Sequence, residues 1–258
     1  MNKYLINQLQ YCGNKALLST CQLFYRAKAI GSGVLLSVKG NDYLVSAAHV
    51  LEIEFIRLMT IPNGEILVEI QGELKITQVP LNKTRDDDKI DIAIVKLSKS
   101  CSDELKKRFI FLDENQIDYH HLELDSHQYF FCGYPIQNTE VRNMEMEIFP
   151  IPLKVRTKIT KKDLFETPDY DNGTKWILEY DRRNQLNISK KEKQISPHLK
   201  GISGGGLWSI PYNQKIKVED TEIKLVGIMT DYFELQDGVV GATNVSLVQS
   251  IIKNKFEK

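Results

Sequence analysis

The chain has 258 residues, 42% hydrophobic and 26% charged, with 34 Lys plus Arg against 34 Asp plus Glu. That composition is globular, and the length suffices for one large domain or two small ones. The zero formal net charge argues against a nucleic-acid partner, which would ask for a broad basic face.

Cys12, Cys21, Cys101 and Cys132 are widely spaced and form no CxxC pair. Neither a zinc site nor a disulfide framework is expected, and buried free thiols suit a reducing compartment. The start of the chain, Met1 to Gln10, has no continuous apolar stretch and no small-residue cleavage site. No apolar run reaches the roughly 18 residues of a membrane span. A soluble, cytoplasmic protein with no membrane partner is the expectation.

In residues 2–19, Tyr4, Leu5 and Leu9 allow a short amphipathic helix. From Thr20 the pattern turns to strands: Cys21–Tyr25, Val34–Val38 and, after the Gly40-Asn41 turn signal, Asp42–Ser46. Further strands are read at Glu65–Ile70, Glu73–Gln78 and Asp91–Leu97. A short helix near Ser102–Arg108 precedes a linker near Asn115–His127. Strands resume at Tyr129–Cys132, Glu147–Lys158, Trp176–Tyr180, Gly206–Ile210, Glu222–Thr230 and Val239–Thr243. The charged run Lys190-Lys191-Glu192-Lys193 reads as a solvated loop. At the end, Asn244 can cap a helix that places Val248, Ile251, Ile252 and Phe256 near one face and Lys253, Lys255 and Lys258 near its C-terminus. The fold class is therefore all-β, with two antiparallel barrels and a C-terminal α-helix. The boundaries are an N-terminal segment (1–19), a first barrel (20–114), an inter-barrel linker (115–127), a second barrel (128–243) and the helix (244–258).

The most distinctive stretch is Lys200-Gly201-Ile202-Ser203-Gly204-Gly205-Gly206-Leu207-Trp208. Four glycines around one serine suit a tight bend that presents a hydroxyl and aims nearby N–H groups at one point. Acyl transfer needs both; a merely flexible Gly-rich turn is the other reading. A nucleophilic serine needs a base. Among the five histidines, His49 ends an apolar strand, Leu44-Val45-Ser46-Ala47-Ala48-His49, whose small residues leave room beside it. It is either that base or an ordinary packed histidine. Asp91 heads the apolar strand Asp91–Leu97, either as punctuation or as a buried acid that orients the imidazole. Asp86, Asp87 and Asp88 read as an exposed acidic turn. Leu207, Trp208, Phe130 and Phe131 read as core. The cluster Asp118, His120, His121, Glu123, Asp125 and His127 has metal-ligand types without a zinc spacing, so it reads as a polar linker, and no metal or cofactor is expected.

In order along the chain, Ser46-Ala47-Ala48-His49, Asp91-Ile92-Ala93-Ile94 and Gly201-Ile202-Ser203-Gly204-Gly205 resemble the histidine, aspartate and nucleophile motifs of the chymotrypsin-like (trypsin-like) serine peptidases, above all their bacterial, non-secreted relatives. Gly31-Ser32-Gly33-Val34 and Gly133-Tyr134-Pro135 add to the likeness. The resemblance implies two six-stranded barrels with the site between them. It implies His49 and Asp91 from the first barrel, Ser203 from the second, and an oxyanion hole from the N–H groups of Gly201 and Ser203. Two departures stand out: Ile202 replaces the acid that pairs with a new N-terminus in digestive members, and Gly206 replaces the usual proline.

By the same match, Pro197, His198, Lys200, Met229, Thr230, Asp231, Tyr232 and Gly241, with the residues up to Thr243, would wall the specificity pocket. Pro197 stands near the acid of trypsin-type enzymes, so an apolar or small side chain is the expected preference. His198 would instead favour an acidic or amide one, and Asp231 keeps a basic one open. The expected function is a serine endopeptidase acting on protein or peptide substrates, with a regulated effector switched on by a protein partner as one version. The alternative is a catalytically silent peptidase-like module that binds peptides.

Overall fold

A computed structural model of the chain describes residues 2–25, 28–52, 59–60, 68–79, 81–123, 126–142, 147–160, 173–187, 192–196, 198–232 and 238–257. It opens with helix α1 (Lys3–Leu17), capped by the Asn2 side chain, which accepts the Tyr4 amide. Leu5, Leu9, Cys12 and Ala16 recur every three or four residues and are buried, the spacing of an apolar helical stripe. The helix is thus longer than Tyr4, Leu5 and Leu9 suggested. Gln8 interrupts the stripe in sequence but is buried because its amide donates to Pro211 O at 3.0 Å.

The first sheet contains β1 (Thr20–Tyr25), β2 (Lys28–Val38), β3 (Asn41–Ala47), β4 (Met59–Thr60), β5 (Val68–Glu69), β6 (Gly72–Ile76) and β7 (Ile92–Leu97). Their order is β5-β4-β1-β2-β3-β7-β6, antiparallel throughout. Among the described residues it therefore has seven strands where six were expected. The strand expected at Glu65–Ile70 is realised at Val68–Glu69, and its first residues lie outside the described ones. Helix α2 (Ala48–Leu51) follows β3, and α3 (Lys99–Leu105) follows β7. The latter starts earlier than expected because the Ser98 side chain caps it, accepting the Cys101 amide.

The second half contains β8 (His127–Gly133), β9 (Thr139–Arg142), β10 (Glu147–Pro150), β11 (Leu153–Thr157), β12 (Lys175–Glu179), β13 (Gln185–Asn187), β14 (Glu192–Gln194), β15 (Gly206–Pro211), β16 (Lys224–Tyr232) and β17 (Val239–Asn244). Six of these form the antiparallel sheet β11-β8-β15-β16-β17-β12; β9–β10 and β13–β14 are separate ribbons. The long strand expected at Glu147–Lys158 is two strands, parted near Pro152, which has no N–H to give a ladder. Glu192 and Lys193 lie in β14 rather than in a loop; Lys190 and Lys191 lie outside the described residues. The inter-barrel segment is packed rather than simply polar: Ile117 and His121 are buried, and the Asp118 amide bonds Leu225 O at 2.9 Å.

Strand alternation builds the cores. On β3, Leu44 faces a core within the first sheet, while Tyr43 and Val45 face a core shared with the second. On β7, Ala93, Val95 and Leu97 face inward, and Ile92 and Ile94 face the shared core. Phe131 and Leu207 fill the second sheet's own core; Phe130 and Trp208 join the shared one. Both faces of these strands are buried, so each sheet carries its own filling and the two lock together. Helix α4 (Val245–Lys255), capped by Asn244, adds Val245, Val248 and Ile252 to the shared core. All four cysteines are buried and unpaired. No helix among the described residues is long and apolar enough to cross a membrane.

Candidate active site

Strand β3 runs out at Ala47, and the fully buried Ala47 and Ala48 let the chain turn tightly into α2, where His49 stands. Asp91 reaches it from the start of β7. One carboxylate oxygen lies 2.6 Å from His49 Nδ1, and the other accepts the His49 backbone N–H at 2.9 Å. The Asp91 carbonyl also accepts the Ala48 N–H at 2.9 Å. Both carboxylate oxygens are therefore committed to one residue, which fixes the ring. With Nδ1–H given to the carboxylate, Nε2 is the ring atom left to accept a proton. Burial opposes charge on the imidazole, but the hydrogen bond and charge of Asp91, with the charge of Asp231, outweigh both burial and Arg85, and hold the His49 pKa above its ordinary value.

Ser203 sits in a bend whose flanking carbonyls are engaged on either side. Lys200 O accepts Ile136 N–H at 2.8 Å, and Ile202 O accepts Gly205 N–H at 2.8 Å. Every peptide among the described residues is trans, so each N–H points away from the carbonyl of the same peptide. The Gly201 N–H is thus aimed away from Ile136, and the Ser203 N–H away from Gly205. Among the described residues neither N–H has a protein acceptor. Gly201 has φ 98° and Gly204 φ 86°, the left-handed region open to glycine. Gly204 N–H donates to Met229 O at 2.7 Å, and Met229 N–H to Gly205 O at 2.8 Å, which ties the bend to β16.

Ser32 of β2 joins this bend to the first sheet. Its N–H donates to Ser203 O at 2.9 Å, and its hydroxyl donates to Gly201 O at 2.7 Å while accepting Tyr134 N–H at 2.8 Å. Its carbonyl accepts the Ser46 hydroxyl at 2.7 Å. The two departures from the motif also have physical accounts. Ile202 is buried in the second sheet's core beside Leu199 and Met229, so apolar packing anchors the loop there. A side chain on Gly206 would run into Trp208, whose Nε1 lies 2.6 Å from the Cβ position.

His49, Asp91, Gly201 and Ser203 line one cleft of about 930 Å³, with His198, Lys200, Thr230 and Asp231. Among the described residues, no hydrogen bond joins the Ser203 hydroxyl to His49. Of the other residues expected to wall a specificity pocket, Met229 is buried in the core and serves the bend through its backbone. Gly241 lies under Asp231, with its Cβ position 2.9 Å from Asp231 Oδ2. Tyr232 ends β16, and Pro197 lies outside the described residues. Asp231 is ion-paired to Lys175 and accepts the Thr230 hydroxyl at 2.7 Å.

Sequence reasoning missed Arg85 and Asp88, which also line the cleft. Asp88 is only 7% exposed, which corrects its reading as part of an exposed turn. The linker histidines are held by protein: His121 bonds Asp118 and Tyr129, each at 2.9 Å, and His127 bonds Ser209 at 2.6 Å. No group of three metal-ligand side chains occurs among the described residues; Asp125 lies outside them.

No protein-family model and no curated protein matches this chain. Solved structures do. The chain is similar to neuropsin, a serine protease of mouse brain, at 13% identity over 91% of this chain and 92% of that one, TM-score 0.55. It is similar to kallikrein-related peptidase 10 at 15% identity over 92% and 93%, TM-score 0.53. A serine endoprotease from Yersinia pestis matches at 16% identity over 95% of this chain but 65% of its own, TM-score 0.52. The fold is the chymotrypsin-like fold of serine peptidases.

Proposed function

We propose that this chain is a serine endopeptidase. The observation that carries the reading is one cleft holding the His49–Asp91 pair from the first sheet and Ser203 from the second. Ser203 Oγ attacks the substrate carbonyl while His49 Nε2 takes its proton. His49 then returns the proton to the leaving amine, and water repeats the sequence on the acyl-enzyme. Asp91 holds the tautomer and stabilises the imidazolium. The N–H groups of Gly201 and Ser203 receive the developing oxyanion. An extended substrate adds alongside the end of β16 at Thr230-Asp231-Tyr232, past the pairing of β16 with β15.

Ile202 cannot pair with a newly released amino terminus, so a partner that switches the protein on as an effector acts by a route other than that pairing. Four buried, unpaired thiols support placement in a reducing compartment such as the cytoplasm.

The silent peptide-binding module draws on the Ser203 hydroxyl, which is not bonded to His49; catalytic hydrogen bonds of this kind often tighten only with substrate. A fluorophosphonate probe decides between the two. Labelling of the wild type that vanishes in Ser203→Ala and falls in His49→Ala supports the peptidase. Peptide binding without labelling or cleavage supports the module.

A further inference from the structure

Asp91 has φ 50°, a left-handed backbone that a side chain other than glycine adopts only when its surroundings hold it there. The chain just before it supplies the hold. Asp88 Oδ1 accepts the Ile90 N–H at 3.0 Å, and the Asp91 amide bonds the same carboxylate. Asp88 Oδ2 accepts the Thr77 hydroxyl at 2.5 Å and Arg85 Nη1 at 2.7 Å. Thr77 in turn accepts the Ile92 N–H on its hydroxyl at 3.1 Å and donates its own N–H to Ile92 O at 2.9 Å. The residues on both sides of Asp91 are thereby pinned.

The network also reaches the histidine. Arg85 grips Glu52 with two bonds, Nε to Oε2 at 2.9 Å and Nη2 to Oε1 at 2.6 Å. Glu52 is the C-cap of α2, three residues after His49. Asp88 stands three residues before Asp91. Arg85 therefore ties the end of the histidine's helix to the start of the aspartate's strand.

We propose that Glu52, Arg85 and Asp88 form a positioning clamp that sets the His49–Asp91 alignment. None of the three touches the reacting atoms; they act through Asp91 and His49. The inference rests on the peptidase reading for its catalytic consequence, but its geometric content is independent of activity.

The test uses Arg85→Gln, Asp88→Asn and Arg85→Lys in the full chain. The charged groups acting on His49 are Asp91, Asp231, Arg85 and Glu52. Arg85 by its charge alone disfavours the imidazolium. If it were only a nearby charge, Arg85→Gln would raise the His49 pKa. If it aims Asp91, Arg85→Gln loosens the Asp91 bond and lowers that pKa. The two roles thus predict opposite signs.

The His49 pKa is read by NMR in a Ser203→Ala background, which needs no activity. The expected results are a lowered pKa in Arg85→Gln and in Asp88→Asn, and a smaller drop in Arg85→Lys, which keeps the charge but loses the two-pronged grip. In the chain with Ser203 intact, fluorophosphonate labelling is expected to slow about tenfold or more in Arg85→Gln. A raised His49 pKa in Arg85→Gln, with labelling at the wild-type rate, overturns the clamp. Wild type that never labels sinks the peptidase reading instead, and the NMR arm still judges the clamp. Should Asp88→Asn fail to fold, the two Arg85 variants carry the test.

Discussion

Removing one hydroxyl, in Ser32→Ala, tests whether the nucleophile's bend is held by the other sheet. Ser32 is fully buried, and its Oγ both donates to Gly201 O at 2.7 Å and accepts Tyr134 N–H at 2.8 Å. Alanine leaves that buried carbonyl and that part-buried amide without their partner. A buried polar group left unpaired costs about 1–3 kcal/mol. Two such groups, partly relieved by small shifts, predict a loss of about 2–4 kcal/mol in unfolding free energy. The Ser32 N–H still holds Ser203 O, so the bend loosens at Gly201 rather than detaching. Complete loss of one oxyanion donor costs about 2.7–4 kcal/mol of transition-state stabilisation; a Gly201 that wanders should forfeit part of that, slowing acylation by roughly tenfold. Urea unfolding followed by the fluorescence of Trp176 and Trp208 reads the stability, and the rate of fluorophosphonate labelling reads the site. A variant with the wild-type urea midpoint and the wild-type labelling rate would show that the Ser32 hydroxyl does not anchor the bend.

Gly204→Ala should be more severe: its Cβ would sit 1.9 Å from Ser32 O and 2.2 Å from Ser46 Oγ at φ 86°, so no soluble, cooperatively melting protein is expected on expression. Labelling of Ser203 should rise with pH through an apparent pKa above that of an ordinary imidazole, because Asp91 and Asp231 hold the His49 pKa up and only the neutral ring accepts a proton. The stability contributed by the His49–Asp91 pair runs the other way: a raised folded pKa makes it complete below the unfolded value and lost as pH climbs through the folded one, which urea midpoints of wild type and His49→Ala across pH would reveal. Burial pushes the Cys12 and Cys21 thiols up to about 12 and Cys132 to about 11, so a thiol reagent should leave the native chain unmodified at neutral pH and modify four residues in denaturant.

The strands of both sheets were legible because β-branched and aromatic runs broken by turn signals are a local property. The bulk of the second sheet follows its expected ranges within a few residues, from Tyr129–Cys132 to Val239–Thr243. The strand at Met59–Thr60 was not read from the sequence, whereas the one at Val68–Glu69 falls inside the expected range Glu65–Ile70. Helix α1 was underread. Gln8 sits on its buried stripe only because Pro211, some two hundred residues later, accepts its amide. Of the site, the three residues His49, Asp91 and Ser203 stood in recognisable local company. Ser32 also stood in a visible Gly31-Ser32-Gly33 signal, but the signal said nothing of the Tyr134 and Gly201 groups it serves.

The acidic run shows where local reading stops. Asp87 and Asp88 are neighbours of one type, and nothing in composition separates them. Asp87 turns back on its own segment, accepting the Thr84 N–H at 2.9 Å in an exposed cap. Asp88 instead meets the hydroxyl of Thr77, the guanidinium of Arg85 and two amides. Those partners, with Arg85, hold its carboxyl below the ordinary range despite the opposing effect of burial. A carboxylate can be buried only where donors of this number converge, and Thr77 comes from the far end of the connection between β6 and β7. The property that makes Asp88 a support for Asp91 is therefore set by how the connection between β6 and β7 closes on itself, bringing Thr77 and Arg85 onto one carboxylate, which the run of three aspartates does not announce.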